Sequence, residues 1–379
     1  MLLCADQVYW EGHFCPATVV CRGGRIAEVR PGKDAAALDL GDVLLAPGFI
    51  DAHTHGAAGV DVNAADEAGL RRIAAFFASQ GVTAWHASVL TDTEEVTRRC
   101  LGAIARVMAE GSGGARLMGA HLEGPFLAPA YKGAMPESLL RQGDASLLRR
   151  YQADFPGVVK YITVSPEVPG VIDMIRQVAG ETTVAIGHSG ATYDQSMEAI
   201  QAGARCITHT FNAMRLFHQH EPAIMGAALE SDCWCEAICD GRHLHPGTVR
   251  MLLKCKGWQR VMAVTDSIMA AGLPDGRYKL GVNDVVVEDG DAKLADTGVR
   301  AGSTLTCAQA LRNLVRFTGR PAAEVLPLLT ANPAEALGLA GRQGVIAPGA
   351  DADLVALDAA TLDVLGTWVQ GQQVYGGQG

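Results

Sequence analysis

Apolar and polar positions follow two rhythms along this chain, and the change of rhythm divides it. Over residues 1–46, short apolar runs at Leu2–Trp10, Thr18–Cys21, Arg25–Val29 and Val43–Leu45 are broken by turn signals such as Arg22-Gly23-Gly24 and Pro31-Gly32. That is the punctuation of small strands. The end of the chain returns to the same style, with an apolar strand bracketed by aspartates in Gly349–Asp358 and a Gly-interrupted run at Val364–Val374. Between these ends, apolar runs at Phe49–His55, Val82–Leu90, Leu117–Glu123, Val158–Pro166, Thr182–His188, Cys206–Thr210, Trp234–Asp240 and Val261–Asp266 read as buried strands. Helical spacing separates them, as in Glu67–Gln80 with Leu70, Ile73, Ala74 and Phe77 on one face. Eight strands joined by helices predict a (β/α)8 barrel over residues 47–340. The β-rich ends predict one small, sandwich-like β-domain built from residues 1–46 and 341–379. Gly272–Gly302 interrupts the alternation as a hairpin excursion, and Ser303 or Thr304 is expected to cap the helix through Ala310, Leu311, Leu314 and Val315.

The polar residues at the strand ends change the picture from fold to chemistry. The first barrel strand closes on His53 and His55, which point to one face because strand side chains alternate. Further ends carry Glu123, His188, His209 and Asp266, each after a buried run and before a small or turn residue. Taken singly, His188 or His209 is a satisfied core histidine, Glu123 a buried ion-pair member and Asp266 a helix cap. Together, at the C-terminal ends of strands where such barrels keep their catalytic groups, they suit a divalent ion with N/O ligands, zinc above others. His121 faces the same way as Glu123 one layer deeper and reads as structural.

Composition narrows the partners. Hydrophobic residues make up 49% of the chain and charged ones 19%, with a formal net charge of −10. This supplies a large core and disfavours nucleic acid and anionic membranes. No apolar run reaches transmembrane length, and Met1–Asp6 lacks the basic start of a signal peptide. The ten cysteines show no zinc-finger spacing and read as reduced, buried thiols. A cytoplasmic protein acting on a small molecule is expected.

With these motifs in place, the chain resembles, essentially end to end, the N-acetylglucosamine-6-phosphate deacetylase family of the amidohydrolase superfamily. The resemblance rests on Pro47–Gly56, His121-Leu122-Glu123-Gly124-Pro125-Phe126, Gly187-His188-Ser189, Thr208–Met214, Asp240-Gly241-Arg242-His243, Val264-Thr265-Asp266 and Gly349–Asp358. It implies that Glu123, His188 and His209 hold a main ion and that His53 and His55 support a second. It implies that Asp266 is the catalytic acid and base, and that Asn212, Ala213 and His243 contact an amino-sugar phosphate. A homodimer is the family's expectation. Two positions depart. Where relatives read Lys-Gly-x-His, this chain has Lys132-Gly133-Ala134-Met135, and a thioether cannot donate a hydrogen bond to the acyl oxygen. Where relatives carry Arg-Glu-Pro, it has His220-Glu221-Pro222, so His220 takes the place of a phosphate-binding arginine. The departures keep open a deacetylase for a non-phosphorylated or differently substituted N-acyl amino sugar. A non-catalytic sugar-phosphate sensor is the remaining alternative, disfavoured because Asp266 and every metal ligand are retained.

Overall fold

In the computed structural model, which describes residues 1–377, the eight central apolar runs form one parallel sheet. Its strands are β1 (Phe49–Thr54), β2 (Val82–Leu90), β3 (Arg116–Glu123), β4 (Val159–Val164), β5 (Thr183–Ile186), β6 (Cys206–Ile207), β7 (Trp234–Ile238) and β8 (Val261–Val264). They are hydrogen-bonded in that order. The two edges meet just past β8, where the Asp266 N–H donates to the His53 carbonyl at 2.8 Å and the His55 N–H to the Ser267 carbonyl at 2.7 Å. The sheet is thereby a (β/α)8 barrel. Strands covered on both faces need unbroken apolar runs, and β2 is buried along its whole length. The helix Glu67–Ser79 starts at Asp66, whose carboxylate accepts from the Gly69 N–H, and it buries Leu70, Ile73, Ala74 and Phe77 as their spacing predicts.

Two local expectations change. The helix after β8 spans Cys307–Thr318 and is capped by Thr306, because both earlier hydroxyls are engaged elsewhere. Ser303 donates to the Thr265 carbonyl at 2.5 Å and Thr304 to the Gly290 carbonyl at 2.8 Å. The excursion before it is a three-stranded antiparallel sheet, Gly276–Leu280, Asn283–Glu288 and Asp291–Leu294. Its apolar side packs Leu280, Val285 and Val287 with Leu90, Leu127 and Met135, which sets this inserted sheet against the C-terminal end of the barrel.

Both chain ends share a second sheet. Its order is Gln372–Tyr375, Val364–Val369, Leu354–Asp358, Val43–Pro47, Leu2–Trp10, His13–Arg22 and Arg25–Pro31, with Leu38–Asp39 also paired to Leu2–Trp10. The strands form one continuous sheet that curls on itself: the Ile26 N–H donates to Ala350 and the Gly349 N–H to Ile26, each at 2.8 Å. Leu3, Val19, Ile26, Leu45, Leu354 and Trp368 fill its inner face. The expected run Val364–Val374 is split by a turn in which Gln370 (φ 48°) and Gly371 (φ 75°) are left-handed. No helix among the described residues is long and apolar enough to cross a membrane.

Candidate metal centre and active-site cavity

The barrel strands deliver their polar ends to one buried spot. His53, on β1, and His55, just beyond it, have Nε2 atoms 3.2 Å apart. His188, two residues past β5, and His209, two past β6, have Nε2 atoms 2.9 Å apart. Glu123, the last residue of β3, reaches both pairs. Its Oε1 lies 3.0 Å from His188 and 3.3 Å from His209, and its Oε2 lies 3.2 Å from His55. His53, His55 and Glu123 form one group able to hold an ion, and Glu123, His188 and His209 form another.

The outer ring atoms decide what these nitrogens can do. His53 Nδ1 faces the Glu236 carboxylate at 3.0 Å, His55 Nδ1 the Ser88 carbonyl at 3.1 Å and His188 Nδ1 the Tyr131 carbonyl at 2.8 Å. Each acceptor fixes the proton on Nδ1 and turns an Nε2 lone pair inward, the arrangement of metal-ligating histidines. His209 Nδ1 is buried without a partner. Facing lone pairs at about 3 Å repel unless a cation lies between them. Two nitrogens about 2.0–2.1 Å from a tetrahedral zinc stand about 3.3–3.4 Å apart, close to the spacings here. The donor set therefore fits a divalent ion. The surroundings also call for positive charge: burial works against charging His53, yet Glu236, Asp266 and Glu123 raise it to about 9, and a bound divalent ion would supply that charge in place of the ring proton. Burial likewise favours the neutral form of Glu123, but His188 and His53 hold it well below the usual carboxylate range.

Asp266 follows β8 and sits against the pairs, with Oδ1 3.1 Å from His55 Nε2 and 3.5 Å from His53 Nε2. Burial pushes its pKa up, but His53 and His55 outweigh that and keep it below the usual value, so the carboxylate is ionised and able to accept a proton. Three of these residues have left-handed backbones: His188 (φ 48°), His209 (φ 26°) and Asp266 (φ 48°). Such angles are rare in non-glycine residues. Here they occur at three of the strand ends whose side chains meet at this spot.

Two layers support this spot from below. His121 is fully buried, with Nδ1 2.9 Å from the Ser88 hydroxyl and Nε2 2.8 Å from the Thr163 hydroxyl, a structural histidine. Glu236, midway along β7, is also fully buried. Besides His53, it accepts from the Tyr161 hydroxyl at 2.7 Å and from the His209 N–H at 2.9 Å. Sequence reasoning missed Glu236. Its one signal is a carboxylate interrupting the run Trp234-Cys235-Glu236-Ala237-Ile238.

Above lies a cavity of about 340 Å³ lined by His55, Glu123, His188, His209 and Asp266 together with Asn212, Ala213, His243 and Met135. His243 Nδ1 bonds Asp240 at 2.6 Å. Met135 is buried in the apolar cluster of Leu90, Leu127 and Leu280. Arg300, from the inserted segment, also lines the cavity and was not anticipated. His220 does not line it. It is exposed on a surface turn in which His218 and Glu221 form a bridge.

A parallel barrel with two His/Glu groups sharing one carboxylate is the framework of a metal-dependent hydrolase. The chain belongs to the amidohydrolase family, whose model matches residues 44–374. Within it, the chain groups with the N-acetylglucosamine-6-phosphate deacetylases. The N-acetylgalactosamine-6-phosphate deacetylase of Escherichia coli O157:H7 is 37% identical over 331 residues, 87% of each chain. The N-acetylglucosamine-6-phosphate deacetylase of Vibrio furnissii is 35% identical over 345 residues, 90% of this chain and 86% of its own. Among solved structures, a variant of the Mycobacterium smegmatis N-acetyl-D-glucosamine-6-phosphate deacetylase in complex with N-acetyl-D-glucosamine-6-phosphate superposes with a TM-score of 0.93, at 35% identity and over 99% of both chains.

Proposed function

We propose that this enzyme hydrolyses the acetamide of N-acetyl-D-glucosamine 6-phosphate to D-glucosamine 6-phosphate and acetate. The observation that carries the proposal is the cavity floor, where inward Nε2 atoms and Glu123 meet beside an ionised Asp266. We assign Glu123, His188 and His209 to a main ion, and His53 and His55, with Glu123 shared, to a second. Zinc is the ion that this N/O set suits best, at one or two per chain. When bound, the ion supplies Lewis acidity toward the acyl oxygen and acidifies water.

The residues of the chain do the rest. Asp266 accepts a proton from water as the new C–O bond forms. It then delivers that proton to the amide nitrogen as the C–N bond breaks, so an amine leaves rather than an amide anion. Asn212, Ala213 and His243 bind the sugar, and the Asp240 bond holds the His243 ring so that its other nitrogen faces a hydroxyl or phosphate oxygen. Met135 has no N–H to offer, so the acyl oxygen is polarised from the ligand side of the cavity.

The test is acetate release by zinc-loaded protein from N-acetyl-D-glucosamine 6-phosphate, its 4-epimer and free N-acetyl-D-glucosamine. Release from a phosphorylated sugar, lost on chelation, is expected; release from none of the three overturns the proposal. The placement of His220 outside the cavity favours a second reading, a deacetylase for a non-phosphorylated or differently substituted N-acyl amino sugar. Turnover of the free sugar equal to that of the phosphate would select it.

The proposed division into a barrel (47–340) and a terminal β-domain (1–46 with 341–379) is supported by the sheet that both chain ends share. A homodimer is proposed as well. The segment leading into the turn that bears His220 exposes Leu216 (81%) and Phe217 (56%), apolar surface suited to cover by a second copy, and sedimentation of Leu216→Asp tests it. Ten free cysteines suit a reducing, cytoplasmic workplace.

A further inference from the structure

The C2 nitrogen and the C6 phosphate of a hexosamine 6-phosphate lie on opposite sides of the sugar ring. A phosphate must therefore be recognised by residues away from the ligand histidines. The position expected to carry the phosphate-binding arginine holds His220, which is outside the cavity. The inserted segment, however, places a different arginine in the lining: Arg300.

Its guanidinium is held edge-on. Nε donates to Asp291 Oδ1 at 2.7 Å and Nη2 to Asp291 Oδ2 at 3.0 Å, while Nη1 donates to the Arg242 carbonyl at 3.3 Å. A guanidinium has five N–H groups, and these bonds use three. The remaining two, one on each terminal nitrogen, are left to donate to the oxygens of a phosphate. Asp291 does not cancel this charge alone, because the same carboxylate pairs with Lys293 Nζ at 3.0 Å. The bridge between Lys293 and Arg300 joins the last inserted strand to the segment that returns to the barrel, so the backbone fixes where Arg300 stands. Its side chain is 34% exposed, open to a ligand yet anchored at its inner edge.

We propose that Arg300 is the specificity residue of this enzyme for a phosphate monoester on the sugar, with Asp291 as its positioning residue. This rests on the hexosamine reading above and gives the phosphate a partner independent of His220.

The test is calorimetric titration of the zinc-loaded protein with D-glucosamine 6-phosphate and with D-glucosamine. The unmodified protein is expected to prefer the phosphate by about tenfold to a hundredfold, the range of a charge-assisted hydrogen bond. Arg300→Leu should bring the two affinities within about threefold, and Arg300→Lys should restore part of the preference. Asp291→Asn should lower it without removing it. If Arg300 only pins the inserted sheet, Arg300→Leu will weaken both sugars alike and leave their ratio intact. That result, or no preference in the unmodified protein, overturns the inference. Failure of the deacetylase reading looks different: the preference for the phosphate persists, but no acetate appears from the N-acetylated sugar phosphate.

Discussion

The floor and the mouth of the cavity are built by opposite means. On the floor, every polar side chain comes from a barrel strand or the residues just past it. Its ring or carboxylate is buried, and all but one imidazole have their outer nitrogen tied to a second acceptor. At the mouth, the polar groups come from connecting segments and the inserted sheet. There Arg300 is part-exposed and oriented by one carboxylate shared with a lysine. The contrast teaches where precision is needed. Ligand geometry tolerates errors of tenths of an ångström, so it is carried by the stiffest part of the fold. A phosphate is held by charge and donated hydrogen bonds, so a held side chain on an insertion suffices. The mouth can accordingly change between relatives without disturbing the chemistry.

Breaking the floor should have the largest effects. Glu123 belongs to both groups able to hold an ion, so Glu123→Gln should remove most bound metal from each, read by metal analysis after gel filtration of the zinc-supplied protein. Full metal content with activity lost would sink its role as shared ligand. Asp266→Asn should retain metal but lower kcat by about 10²- to 10⁴-fold, the contribution of a placed acid–base group. Asparagine also tolerates a left-handed backbone, so the fold should be unharmed. Residual activity above a few per cent would remove Asp266 from proton transfer.

The next effect is one layer down. Glu236→Gln keeps the shape but can no longer hold His53 as a charged acceptor, and it should weaken zinc at the His53–His55 group by about 10- to 100-fold. Competition with a graded chelator measures it, and unchanged affinity would make Glu236 a purely structural carboxylate. The smallest effect is at the mouth. Asp291→Asn should raise KM for the phosphorylated sugar several-fold with kcat unaltered, the signature of uniform binding. A loss in kcat instead would mean that the mouth takes part in the chemical step, and the contrast with the floor would fail.

Legibility in the sequence follows the same divide. The barrel strands and the candidate ligands could be read because strand alternation aims His53 and His55 together and because the buried runs end where polar residues begin. Glu236 could not be read. Its partners Tyr161 and His53 come from two other strands and the His209 backbone from just past a third, and nothing in a one-dimensional pattern sets their register. Arg300 was hidden for a related reason. The segment Gly272–Gly302 has no helical period, and it is tertiary contacts, the bridge from Lys293 to Arg300 and the bonds to Asp291 and the Arg242 carbonyl, that give that arginine a direction. The cap at Thr306 escaped because Ser303 and Thr304 are equally good cap residues whose hydroxyls are taken by tertiary bonds.

The left-handed backbones at His188, His209 and Asp266 also shape how this protein can change over generations. A side chain in that conformation costs roughly 1–2 kcal/mol relative to glycine. Glycine at any of the three would relax the apoprotein while ending its chemistry. Selection for folding alone thus runs against selection for turnover at these positions. A lineage released from its catalytic duty should lose them early, and toward glycine or asparagine rather than at random.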